Sequence, residues 1–205
     1  MILPRNHIFA GLPARSAGVI LADPPWHFRC HTDDVGSRDP RKYYRTMSMA
    51  DICALPVKDI AANDCHLFLW VTGPMLEFSF EVIQKWGFRY SAIAFTWVKL
   101  KKGHILTCAD DLHVGLGYTT RKNTELCLLA RRGNPKRRSG DVRELIILPR
   151  REHSRKPDEI HDRIEQYCAG PYVELFARSS RKGWRTWGHE STKFDASLLT
   201  REAAE

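Results

Sequence analysis

Apolar positions along the chain cluster in short runs separated by polar breaks rich in glycine and proline. Val19-Ile20-Leu21-Ala22 is a continuous apolar run of strand length, closed by Asp23-Pro24-Pro25-Trp26. His66 to Val71 has the same character and is closed by Gly73-Pro74. From Met75 to Trp86 the residues Leu76, Phe80 and Ile83 recur at helical spacing, with Gly87 placed to end the helix. Phe88 to Val98 is β-branched and aromatic, hence a strand. Leu126 to Ala130, Leu145 to Leu148 and Tyr172 to Ala177 read as further short strands. Ser48 and Asp51 have the spacing of a capping box that opens a short helix ending before Pro56. Pro157, with Asp158 and Glu159 in its first turn, starts a helix running to about Cys168, where Gly170-Pro171 stops it.

The segments between these elements carry no clear period. The polar stretch from Trp26 to Tyr44 reads as a mobile loop beside an active site, and Gly103 to Asn123 as irregular chain. The residues from about Ser191 onward are polar and expected to fray. Strands alternating with helical segments predict an α/β fold with a largely parallel sheet, forming a single domain over 1–205. Ligands in such sheets bind at the carboxyl ends of strands, where Asp23 and the segment after Phe176 are expected to lie.

Composition sharpens this picture. A chain of 205 residues, 43% hydrophobic and 27% charged, has an ordinary globular make-up and no apolar run of membrane-spanning length. Its N-terminus lacks the pattern of a signal peptide, so a cytoplasmic location is expected. The six cysteines are scattered without a C-x-x-C pair, as in a protein with reduced thiols. His27, Cys30 and His31 lie close together but lack a fourth ligand, so no metal is expected. The net charge of +8 favours a polyanionic partner. The excess is concentrated between Arg131 and Lys156, and Lys136, Arg137 and Arg138 are the expected substrate-binding part of a nucleic-acid-facing loop.

The sharpest chemical signal is Asp23-Pro24-Pro25-Trp26. An acid at a strand end can accept a hydrogen bond from an exocyclic amine. The prolines stiffen the chain, so a backbone carbonyl can face the same amine. Trp26 offers a face on which a base can stack. The same three residues Asp23, Pro24 and Pro25 are also compatible with a plain turn. The apolar run before them and the tryptophan after them favour a catalytic motif for methyl transfer to a nucleobase amine.

Several stretches together resemble the mRNA adenine methyltransferase family, whose bacterial and phage members are DNA adenine-N6 methyltransferases. These are ADPPW (22–26), YYRTMS (43–48), LFLWVTG (67–73), the segment 125–135, SRKPDEI (154–160), and ELFAR with the following GW and WG (174–188). The resemblance implies a Rossmann-like S-adenosylmethionine domain in permuted order, with the catalytic motif preceding the cofactor strand. It implies that Asp23, Pro24, Pro25 and Trp26 are catalytic. It places Tyr44 near the target base and Lys156 at the carboxylate of S-adenosyl-L-methionine, with Asp23 also beside the cofactor. Glu174, Arg178, His189 and Glu190 fall on its ribose and adenosine side. The expected function is adenine-N6 methylation of DNA. The alternatives are the same chemistry on RNA and a non-catalytic nucleic-acid-binding subunit. A homo-oligomer is compatible with the sequence.

Overall fold

A computed structural model of the chain describes residues 1–27, 46–115, 117, 119–152 and 155–195. The expected loop after Trp26, including Tyr44, lies outside these residues but for its first residue, His27. The strands are β1 (Ala17–Ala22), β2 (Ala61–Val71), β3 (Arg89–Leu100), β4 (Thr124–Arg132), β5 (Leu145–Pro149), β6 (Tyr172–Leu175) and β7 (Trp184–Trp187). The helices are α1 (Met49–Ala54), α2 (Leu76–Lys85) and α3 (Glu159–Tyr167). All seven strands form one sheet in the order β5-β3-β4-β2-β1-β6-β7.

β1 sits between two parallel neighbours. Val19 to Ala22 align with His66 to Leu69 on one side and with Tyr172 to Leu175 on the other. β6–β7 and β3–β5 are also parallel, whereas β4 is antiparallel to both β2 and β3. The expected largely parallel α/β sheet is therefore present, with β4 as its reversed strand. From β1 the chain passes to β2 on one side, and β6 arrives on the other, so the order switches between β1 and β6. Such a switch opens a crevice at the carboxyl ends of the strands.

Side chains alternate across the sheet, as period two requires. Ile20, Ala22, Leu67, Leu69, Leu128 and Ala130 face a core closed by Ile52 of α1 and by Val82 and Ile83 of α2. Val19, Leu21, Phe68, Trp70, Cys127 and Leu129 face the opposite core, closed by Ile160 and Ile164 of α3. Ser48 caps α1 by accepting from the Asp51 N–H at 3.1 Å and donating to the Asp51 carboxylate at 2.7 Å. Gly87 follows α2 at φ +84°, a left-handed stop that glycine adopts without strain. Among the described residues no helix is long and apolar enough to cross a membrane.

Of the tail expected to fray from about Ser191, the described residues reach Asp195, where the Phe194 N–H donates to the Arg178 carbonyl at 3.1 Å and Asp195 accepts from the Ser180 N–H at 2.7 Å. No strand is expected between Ala177 and Ser191, yet Trp184 and Trp187 bound β7. Both pack, Trp184 on Tyr172 and Trp187 on Phe9. They also extend the sheet past β6.

Candidate active site

β1 delivers Asp23 directly into the crevice, and the residues after it form a fixed turn. The Trp26 N–H donates to the Pro24 carbonyl at 2.8 Å, and the Met47 N–H to the Pro25 carbonyl at 2.9 Å. The Pro24 carbonyl keeps a second lone pair beyond that bond. Trp26 does not offer its ring to a base. It is 4% exposed, packs in the core, and its indole N–H donates to the Trp70 carbonyl at 3.0 Å. Its role is to pin the turn against β2, because an indole buried with its N–H satisfied locks the chain on either side.

Asp23 heads a line of alternating charges along the carboxyl edge of β1. Lys156 Nζ lies 2.6 Å from Asp23 Oδ2 and 3.3 Å from Glu125 Oε1. Lys99 Nζ lies 2.7 Å from Glu125 Oε2. Lys156 Nζ also sits 5.4 Å from the centroid of the Trp70 ring. Burial raises the Asp23 pKa, and the nearby Glu125 adds to that, together outweighing the pull of Lys156. Burial also opposes ionisation of Glu125, but the ammonium groups of Lys156 and Lys99 overcome it and lower its pKa. Burial alone would depress Lys156, yet the two carboxylates raise its pKa above the usual lysine range. Lys156 is thus a permanent cation between two acids, and Asp23 is the acid held less firmly ionised.

The other wall of the crevice comes from β6 and the chain after it. Glu174 accepts from or pairs with His161 Nε2 of α3 at 2.8 Å, and His161 packs edge-on against Trp184 at 4.9 Å. Phe176, just past β6, has φ +63°, a left-handed conformation that a bulky residue adopts only under local constraint. Arg178 Nε donates to Glu190 Oε2 at 3.2 Å, and its guanidinium lies 5.1 Å from the Phe194 ring centroid. Asp23, Trp70, Lys156, His161, Glu174, Phe176, Arg178 and Phe194 all line one cleft. Trp70 Nε1 is buried and has no hydrogen-bond partner among the described residues, which suits it to a ligand acceptor.

The cleft gathers four of the sequence-nominated cofactor residues: Asp23, Lys156, Glu174 and Arg178. Glu190 stands behind Arg178, while His189 is exposed and outside the lining. Lys136, Arg137 and Arg138 are not brought to it. β4 runs against β1, so the loop that follows β4 emerges at the opposite edge of the sheet from Asp23. Gly133 starts that loop at φ +62°, where an added Cβ would lie 2.2 Å from Asp64 Oδ1. In the later part of the basic segment, Arg150 and Arg151 follow β5 to the Asp23 edge, and Lys156 meets Asp23 there. Sequence reasoning missed Glu125, Lys99 and His161. The available signal for Glu125 was an acid heading an otherwise apolar strand.

Comparison with known proteins agrees with this geometry. A protein-family profile described as MT-A70 matches residues 17–190. The chain is 31% identical to the type II methyltransferase M.MunI of Mycoplasma sp over 205 aligned residues, covering 91% of this chain and 83% of that protein. It is 30% identical to the N(6)-adenosine-methyltransferase MT-A70-like protein of Arabidopsis thaliana, covering 84% of this chain and 23% of that one. The N(6)-adenosine-methyltransferase catalytic subunit METTL3 of Homo sapiens is also 30% identical, with 84% and 28% covered.

Proposed function

The chain belongs to the MT-A70 family, and from that premise we propose that it methylates the N6 amine of adenine in DNA. S-adenosyl-L-methionine is the methyl donor of this family and supplies a methyl group activated on its sulfonium. The cleft suits it chemically. Lys156 and the unpartnered Trp70 N–H match a carboxylate. Asp23 matches an ammonium, Glu174 matches ribose hydroxyls, and Phe176 adds an apolar side chain to the wall for an adenosine.

The protein's own groups then act on the amine that receives the methyl group. The lone pair of an adenine amine is conjugated with the ring and is a poor nucleophile. The Asp23 carboxylate and the second lone pair of the Pro24 carbonyl accept hydrogen bonds from the amine N–H groups. That favours a more tetrahedral nitrogen, whose lone pair is freed for in-line attack. Lys156 keeps Asp23 oriented and ionised, and Glu125 and Lys99 hold Lys156 in turn. No covalent enzyme intermediate is needed.

The observation that carries this reading is Asp23 at the switch point, fixed in a rigid Asp-Pro-Pro-Trp turn and ion-paired inside the cleft. DNA is favoured over RNA because the match spanning most of both chains is to a type II methyltransferase, the class that marks DNA in restriction systems. The chain spans about a quarter of the plant and human N(6)-adenosine enzymes. The test is sequencing of methylated adenines in cellular DNA with and without the protein. A protein-dependent set of N6-methyladenines at a common motif supports the reading. Identical adenine methylation in the two samples contradicts it.

A further inference from the structure

β3 does not stop at the sheet edge but continues as a two-stranded arm. The Lys101 N–H donates to the Asp111 carbonyl and the His113 N–H to the Lys99 carbonyl, each at 2.8 Å, and Leu100 bridges Leu112. The tip of this arm, 102–110, is knotted by one side chain. The Asp111 carboxylate accepts from the Thr107 N–H at 2.8 Å, the Thr107 hydroxyl at 2.7 Å and the Cys108 N–H at 3.0 Å, and it pairs with His104 Nδ1 at 2.8 Å. Gly103 makes the bend at φ +80°.

This internally bonded tip holds its aliphatic residues outward. Ile105 is 78% exposed and Leu106 48%, and the flanking Lys101 and Lys102 are exposed as well. A connecting loop gains nothing from two aliphatic side chains in water, whereas a wedge for a base stack needs them. Position points the same way. β3 runs parallel to β1, so the arm rises from the edge that carries Asp23. Its root residue Lys99 is joined to Asp23 through Glu125 and Lys156. Three inter-strand steps separate β3 from β1, about 14 Å at the root, a separation on the scale of one extruded nucleotide.

We propose that Ile105 and Leu106 form a wedge that enters duplex nucleic acid beside the target adenine while that adenine occupies the cleft. Lys101 and Lys102 meet the flanking phosphates. The assignment rests on the methyltransferase reading above and adds how a paired adenine reaches the site. The adenine must leave the stack before its amine can meet Asp23, and side chains that fill the gap stabilise the opened duplex.

The experiment uses the full chain and duplex oligonucleotides carrying a sequence that it methylates. The target adenine is either paired with thymine or set opposite an abasic site. The Ile105→Ala/Leu106→Ala variant should lose at least about tenfold in kcat/KM on the paired duplex and stay within about twofold of wild type on the abasic one. With 2-aminopurine at the target position, wild type should raise its fluorescence on binding and the variant should not. An unchanged rate on the paired duplex overturns the proposal. So does an equal loss on both duplexes, including one accompanied by a change in the protein's sedimentation mass, which would make the tip a contact between copies. A wild-type protein that transfers no methyl group to any duplex removes the methyltransferase reading itself, and the wedge with it.

Discussion

Lys156 Nζ meets Asp23 Oδ2 at 2.6 Å across 133 positions of sequence. The bond ties the turn after β1 to the chain just before α3, so the strand that carries the acid and the segment that covers it are fastened at the reacting end. Removing the cation leaves Asp23 and Glu125 facing each other without a mediator. Lys156→Ala should lower stability, by less than the about 3–5 kcal/mol of a fully buried pair because Asp23 is 27% exposed. It should also weaken S-adenosylmethionine binding by about 1–3 kcal/mol. Denaturant unfolding and titration calorimetry measure the two effects. Unchanged cofactor affinity would make Lys156 a purely structural cation.

Glu125 raises the pKa of Asp23 through its charge. In the proposed mechanism Asp23 accepts hydrogen bonds from the amine as a carboxylate, so turnover should fall on the acid side as Asp23 gains its proton. In Glu125→Gln the neighbouring negative charge is gone and Lys156 is left to Asp23 alone. Both changes lower the Asp23 pKa, so the acid limb of the kcat profile should move to lower pH. A limb that stays in place or moves upward would separate Glu125 from the chemistry of Asp23.

A stability effect is expected away from the cleft. His66 is 5% exposed, and burial, aided by Arg131, lowers its pKa from 6.5 to about 4. Above pH 6.5 the ring is neutral in both the folded and the unfolded chain, and its full contribution to stability is present. Between pH 6.5 and 4 the unfolded chain binds a proton that the folded protein refuses, so stability falls as pH falls. The loss attributable to this one ring is about 3 kcal/mol at most. His66→Phe should flatten that part of the stability curve, as read by urea unfolding at pH 7 and pH 4.5. Equal losses in wild type and variant would exclude His66 as the source.

Much of the fold could be read from the sequence, because apolar runs and breakers mark strands and caps directly. Val19 to Ala22, the Ser48–Asp51 cap and the stop at Gly87 all fall where local chemistry puts them. Strand direction is another matter. The apolar run of β4 looks the same in either orientation, and its reversal moves Lys136, Arg137 and Arg138 away from the cleft. Trp26 is a similar case, since a tryptophan reads alike whether it faces a base or the core. The links from Lys99 to Glu125 and from Glu125 to Lys156 join residues far apart in the chain, and no local pattern records them. β7 is short, and its four residues Trp184 to Trp187 carry no alternation to distinguish a strand from packing aromatics.

The two basic regions lie at opposite edges of the sheet, and salt dependence should tell them apart. Neutralising Lys101 and Lys102 together should reduce the slope of log affinity against log salt by about one unit per lost phosphate contact. Neutralising Lys136, Arg137 and Arg138 should leave it close to wild type. The reverse pattern would place the nucleic acid on the far edge.

In the proposed function Asp23 directs a methyl group to the N6 amine of adenine in DNA. The most direct measurement incubates the protein with methyl-labelled S-adenosylmethionine and an equal mixture of DNA and RNA of matched sequence, followed by digestion and nucleoside analysis. The expected result is label in N6-methyldeoxyadenosine, little in the RNA nucleosides, and a loss of at least about 10²-fold in a folded Asp23→Asn variant. Label on another base, a clear preference for RNA, or near-normal transfer by the variant would contradict it.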